Sequence, residues 1–115
     1  MIDSYDFGAI VIDGRRYTSD VTISRGRVLD GWRRREGHRL YLEDLDEVLK
    51  VETQPEVLIV GTGYSGLVEV SKEVEEALRS RGIELIAQPT KRACQTLNQL
   101  LRSGRRVAAA FHLTC

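Results

Sequence analysis

Apolar positions change their spacing part-way along the chain. From Phe7 to Trp32 they occur in short β-branched runs broken by turn residues, the pattern of antiparallel strands. From Val57 onward, uninterrupted apolar runs alternate with segments of helical period, the pattern of buried strands joined by amphipathic helices. A mixed sheet follows, with antiparallel N-terminal strands and parallel C-terminal strands covered by helices.

Four strands are predicted in the first part: Phe7–Ile12, Arg16–Thr18, Val21–Ser24 and Val28–Trp32. Asp13-Gly14 and Arg25-Gly26 are the hairpin turns between them, because tight hairpins need residues that accept positive φ. The polar stretch Arg33–Arg39 reads as an exposed connection. Glu43–Lys50 is predicted as a short helix with Leu42, Leu45, Val48 and Leu49 on its inner side, and Pro55 bars its continuation past Gln54.

Val57–Val60 is predicted as a central strand. Ser71 is the expected cap of a helix running through Arg81, with Val74, Ala77 and Leu78 inward and Gly82 as terminator. Ile83–Ala87 is the next strand. Thr90 is the expected cap of the last helix, whose apolar side holds Ala93, Leu97, Leu100 and Leu101 and which ends before Gly104. Val107–Phe111 completes a second strand–helix–strand unit, so these strands are parallel with right-handed crossovers.

Composition adds limits. The 115 residues are the length of one domain, 1–115, and 42% hydrophobic with 30% charged residues is a globular balance. Equal numbers of basic and acidic residues, 17 of each, give no overall field that favours nucleic acid or anionic lipid. Cys94 and Cys115 form neither a disulfide framework nor a metal motif. Ile2, Asp3 and Asp6 do not suit a signal peptide, and no apolar run is long enough for a membrane span, so a cytoplasmic, soluble protein is expected.

Candidate chemistry is sparse. Gly61-Thr62-Gly63-Tyr64-Ser65-Gly66 matches GxGxxG after a strand, yet Leu67–Val70 intervenes before the helix and no acid ends the next strand. The glycines are therefore read as turn formers, and no cofactor is expected. If the chain has a ligand, it is expected to be a small anion at the carboxyl ends of the parallel strands. There Gly61, Thr62, Gly63 and Tyr64 would meet Thr90, Lys91 and His112, with backbone amides and Lys91 supplying the attraction.

Cys94 reads as a small core residue, and His38 and His112 as separate surface or strand-end residues, with no catalytic or metal set. Asp20 and Tyr17 read as strand-edge hydrogen-bonding residues. Trp32 beside Arg33 and Arg34 is either packed on the sheet with the arginines in water, or an exposed anchor in a partner surface.

Tyr5-Asp6-Phe7-Gly8, Tyr17-Thr18-Ser19-Asp20-Val21, Asp30-Gly31-Trp32, Gly61-Thr62-Gly63, Pro89-Thr90 with Ala93, Thr96 and Asn98, and Ala108–Leu113 occur in order over nearly the whole chain. Together they resemble the domain of unknown function 498 family. The resemblance implies a compact three-layer α/β fold and no established enzyme activity. That family includes an adipogenesis-associated protein and a mitochondrial complex I assembly factor, which implies a non-catalytic protein-interaction or assembly role. The short length and Met1 just ahead of the first motif suggest a free-standing prokaryotic member. The alternative is a small-molecule or anion-binding protein or enzyme with its site at the strand ends.

Overall fold

The computed structural model describes residues 1–50 and 54–115. In chain order the elements are β1 (Ile2–Asp6), β2 (Ala9–Ile12), β3 (Arg15–Tyr17), β4 (Val21–Ser24), β5 (Arg27–Asp30) and β6 (Arg39–Leu40). A short 3-10 helix (Leu42–Leu45) comes next. It is followed by β7 (Val57–Thr62), β8 (Glu69–Val70), α1 (Lys72–Ser80), β9 (Glu84–Gln88), α2 (Thr90–Arg102) and β10 (Val107–His112).

The central sheet has the order β5-β4-β10-β7-β9. β10, β7 and β9 are parallel, as the two strand–helix–strand units require, and β4 joins β10 antiparallel. The run Val57-Leu58-Ile59-Val60 is fully buried because it feeds two cores at once. Val57 and Ile59 pack with Ala109, Phe111 and the α2 residues Ala93, Cys94 and Leu97. Leu58 and Val60 point the other way, onto Ala108, Ala110, the α1 residues Val74 and Leu78, and Leu45 and Val48. Successive side chains of a strand face opposite sides, so an apolar run without alternation is the sequence form of a sheet covered on both faces. The result is three layers.

The first strands depart from a single meander. β1, β2 and β3 form their own antiparallel sheet, which lays Ile2, Ile10 and Ile12 on the α2 side of the core, while β4 and β5 extend the central sheet. β1 was not legible because only Ile2 of its five residues is fully buried, and its pairing with β2 is interrupted between Ile2 and Ser4. It is pinned instead by Asn98 of α2, whose amide accepts from the Ile2 N–H (2.8 Å) and donates to the Ile2 carbonyl (2.9 Å).

The segment predicted as a helix over Glu43–Lys50 is helical only as the 3-10 turn Leu42–Leu45. In an α-helix the Asp44 carbonyl would accept from the Val48 N–H. Here it accepts from the Trp32 indole at 2.8 Å, and Val48 N donates to Leu45 instead. The inner face is nevertheless as expected, with Leu45, Val48 and Leu49 buried.

Ser71 caps α1, its hydroxyl accepting from the Val74 N–H. Thr90 does not cap α2. Pro89 holds the cap position, and Thr90 is the first helical residue, fully buried. Leu101, expected on the apolar side of α2, is 41% exposed at the helix end. Cys94 is a core residue as read, and burial pushes its thiol up to about 12, which removes the thiolate at neutral pH. Among the described residues no helix is long and apolar enough to cross a membrane.

Candidate functional site

The carboxyl ends of β7 and β10 are closed by the protein's own chain. Gly61 lies in β7 where α2 begins, and a Cβ there would come within 2.7 Å of Phe111 and 2.9 Å of the Thr90 hydroxyl. Its absence of a side chain lets helix and strand meet. At Gly63 the backbone takes φ +105°, and a Cβ would strike the Thr114 carbonyl at 2.8 Å.

Thr90 bridges these elements. Its hydroxyl accepts from the Gly63 N–H at 2.9 Å and donates to the His112 carbonyl at 2.6 Å, while its N–H donates to the Gly63 carbonyl at 3.0 Å. The Tyr64 N–H donates to the Thr114 carbonyl at 2.8 Å. Gly61, Thr62, Gly63 and Thr90 are therefore together and buried, Tyr64 and Lys91 are exposed, and three amides that an anion would use are bonded within the chain.

Next to this seam lies a charged cluster that sequence reading did not assemble. Asp20, Arg34 and His112 come from the residue just before β4, the connection after β5 and the end of β10. Arg34 Nη1 donates to Asp20 Oδ2 at 2.9 Å, and the Leu113 N–H donates to Oδ1 at 2.8 Å. His112 Nδ1 stands 2.7 Å from Oδ2. Because a carboxylate only accepts, that bond assigns the proton to Nδ1, and the 3.0 Å approach of Arg34 Nη2 to the same nitrogen is a contact between donors. Nε2 then faces the Thr114 hydroxyl at 3.4 Å.

Burial alone would raise the Asp20 carboxyl, but the hydrogen bonds from His112, Leu113 and Arg34 outweigh it and hold it below the usual carboxylate range. Arg34 is not in water as expected. Its side chain is only 5% exposed, its Nη2 also donates to the Gly37 carbonyl, and its guanidinium stacks on Trp32 at 4.9 Å. Trp32 is half-buried against the α1-side core, and of the predicted partner surface Arg33 is the exposed member. Tyr17 packs on the other core and under Arg15. The pairing of Asp20 with Arg34 and His112 left no trace in spacing, since the residues are 14 and 92 positions apart.

What this edge shows to its surroundings is aromatic. Phe7 and Tyr64 are each 54% exposed and meet edge to face, ring centroids 5.5 Å apart. Tyr5 lies behind them, 6.5 Å from Tyr64, and donates its hydroxyl to the Leu113 carbonyl at 2.8 Å. Burial first, then nearby groups, push the Tyr5 phenol up to about 12. Phe7 occupies the β1–β2 turn and Tyr64 the loop after β7, and both loops are tied to the C-terminal tail by backbone hydrogen bonds, Gly8 N–H to the Leu113 carbonyl and Tyr64 N–H to the Thr114 carbonyl.

A known family model matches residues 2–112. The chain belongs to the family described as protein of unknown function (DUF498/DUF598). It is similar to NADH dehydrogenase (ubiquinone) 1 alpha subcomplex assembly factor 3 of Rattus norvegicus, 30% identical over 110 residues. The Homo sapiens protein of the same name is 29% identical over 110 residues. Each match covers 96% of this chain but only 58% and 59% of those relatives. A conserved hypothetical protein from Pyrococcus horikoshii superposes with TM-score 0.86 at 29% identity, covering 100% of this chain and 99% of the other.

Proposed function

We propose that this member of the DUF498/DUF598 family is a non-catalytic protein-interaction or assembly module that meets its partner through the Phe7–Tyr64 edge. The observation that carries the reading is the pair of half-exposed aromatic rings mounted on a self-bonded seam. Large aromatics supply much contact area for few rotatable bonds, and they dominate binding energy at protein interfaces. The assembly-factor names of the relatives support the same class of role. In this reading Trp32 and Arg34 act from behind, fixing the connection through Asp44 and Asp20, while exposed Arg33 lies beside the 3-10 turn rather than in the contact surface. The occupied amides around Gly63 and Thr90 favour interaction over an anion bound at Gly61–Tyr64 and Lys91.

The test places a photo-crosslinking residue at Tyr64, and separately at exposed Arg79 on α1, in cells that produce the protein. A discrete protein adduct from Tyr64, absent from Arg79 and reduced by Phe7→Ala, is the expected result. Equal adducts from both positions, or none from Tyr64, reject the surface.

A further inference from the structure

At the opposite end of the same sheet lies a cavity of about 210 Å³, bounded by the β4–β5 turn, the end of α2 and the starts of β7 and β10. Three arginines line it: Arg25 from the turn, and Arg105 and Arg106 from the link into β10. Leu101, Pro55 and Val107 form an apolar wall, with Ser24 beside them. We propose that this cavity is a binding site for a small oxyanion, phosphate or carboxylate, carried on a short apolar body.

Charge is the first argument. Arg105 reaches Glu56 at 3.6 Å and Glu84 at 4.0 Å. Glu56 is held below the usual carboxylate range, first by the Arg106 N–H that it accepts at 2.9 Å and further by the charges of Arg106 and Arg105. Among the described residues, neither the Arg25 nor the Arg106 guanidinium makes a hydrogen bond or an ion pair. Among the described residues, Glu56 and Glu84 against three guanidiniums leave the cavity with one formal positive charge in excess, on side chains whose fork geometry suits carboxylate and phosphate.

Backbone is the second argument. The β4–β5 turn has positive φ at both residues, +54° at Arg25 and +72° at Gly26. Such two-residue turns favour Asn, Asp or Gly at the first position, and an L-residue with a long side chain is held there at a cost. Arg25 is thus placed against local preference at a position that lines the cavity.

Shape is the third. Leu101 leaves the apolar stripe of α2 and is 41% exposed on this wall, giving a ligand something besides charge to bury. The volume lies below the roughly 300–1,000 Å³ of pockets for larger ligands, so the body attached to the anion is small.

The experiment is an amide and arginine side-chain NMR titration with inorganic phosphate, phenyl phosphate and benzoate. Saturable shifts at Ser24–Gly26, Leu101 and Arg105–Ala108 are expected. Arg25→Gln and Arg106→Gln should each weaken binding roughly tenfold, the loss of one charge-assisted contact, whereas Arg16→Gln on β3 should not. Leu101→Ser should weaken phenyl phosphate and benzoate but leave inorganic phosphate unchanged. A preference between phenyl phosphate and benzoate distinguishes the two anion classes. Absence of saturation with all three probes, shifts centred elsewhere, or affinities unchanged in both arginine variants would overturn the site. Because Phe7 and Tyr64 are untouched by these variants, the outcome is independent of the crosslinking result.

Discussion

The two ends of the central sheet solve opposite problems. At the carboxyl ends of β7 and β10 the chain returns on itself: Leu113 and Thr114 bond to Asp20, Tyr5 and Tyr64, and Thr90 seals Gly63 against His112. At the amino ends Arg25 and Arg106 stand around an open cavity. Open α/β sheets usually hold ligands beyond their carboxyl ends, where helix N-termini present free amides. Here the tail and Thr90 engage the Gly63, Tyr64 and Thr90 amides, which closes the seam around Gly63 and leaves the Phe7 and Tyr64 rings on its exterior. The difference teaches that topology offers a site, and the hydrogen-bond account of the particular chain decides whether it stays free.

The sharpest way to break this contrast is to open the closed end. Asp20→Ala leaves the nearly buried Arg34 charge and the Leu113 N–H without their acceptor. Breaking such a pair costs about 3–5 kcal/mol, so equilibrium urea unfolding should show a loss of that size. A loss under about 1 kcal/mol would mean that water or another acceptor already serves Arg34.

Thr90→Val keeps shape but removes the hydroxyl that serves Gly63 and His112, at a cost of about 2 kcal/mol. Gly61→Ala presses a methyl into Phe111 and Thr90 and should cost about 1–3 kcal/mol, measured by the same unfolding curves. Chemical shifts of Tyr64 should move in both variants, while those of Ser24–Gly26 stay fixed if the two ends are independent.

Acid provides a finer test. The Asp20 carboxyl is depressed in the folded protein. Its contribution to stability is therefore complete above the unfolded-chain value of about 3.9 and is lost as pH falls from there through the lower folded value. Wild type should lose more stability than Asp20→Asn across that acid window. Parallel curves throughout would detach Asp20 from acid unfolding.

The smallest effect belongs to the open end. Arg25→Asn suits the positive φ better and should stabilise the fold by under about 1 kcal/mol, read from the urea midpoint. An equal or larger loss of stability would show that Arg25 is held by contacts at the turn.

The apolar run Val57–Val60 could only be satisfied by a sheet covered on both faces, and the periods of Lys72–Ser80 and Thr90–Arg102 required one inward side each. Those facts set the central strands, both helices and the parallel order, because side-chain direction in a strand or helix repeats with a fixed local period. β1 lacked such a signal, and the Asp44 carbonyl was diverted to Trp32, so the N-terminal sheet and the 3-10 turn depended on partners distant in sequence. The seam was legible in part: Gly61, Gly63, Thr90 and His112 were placed at one edge by topology, but whether Thr90 capped a helix or bridged two strands was not. The Asp20–Arg34–His112 cluster and the facing of Phe7 on Tyr64 were decided by tertiary structure alone. Hydrophobic period is written locally along the chain, whereas the choice of a hydrogen-bond or charge partner is made only when packing brings remote groups within about 3 Å of one another.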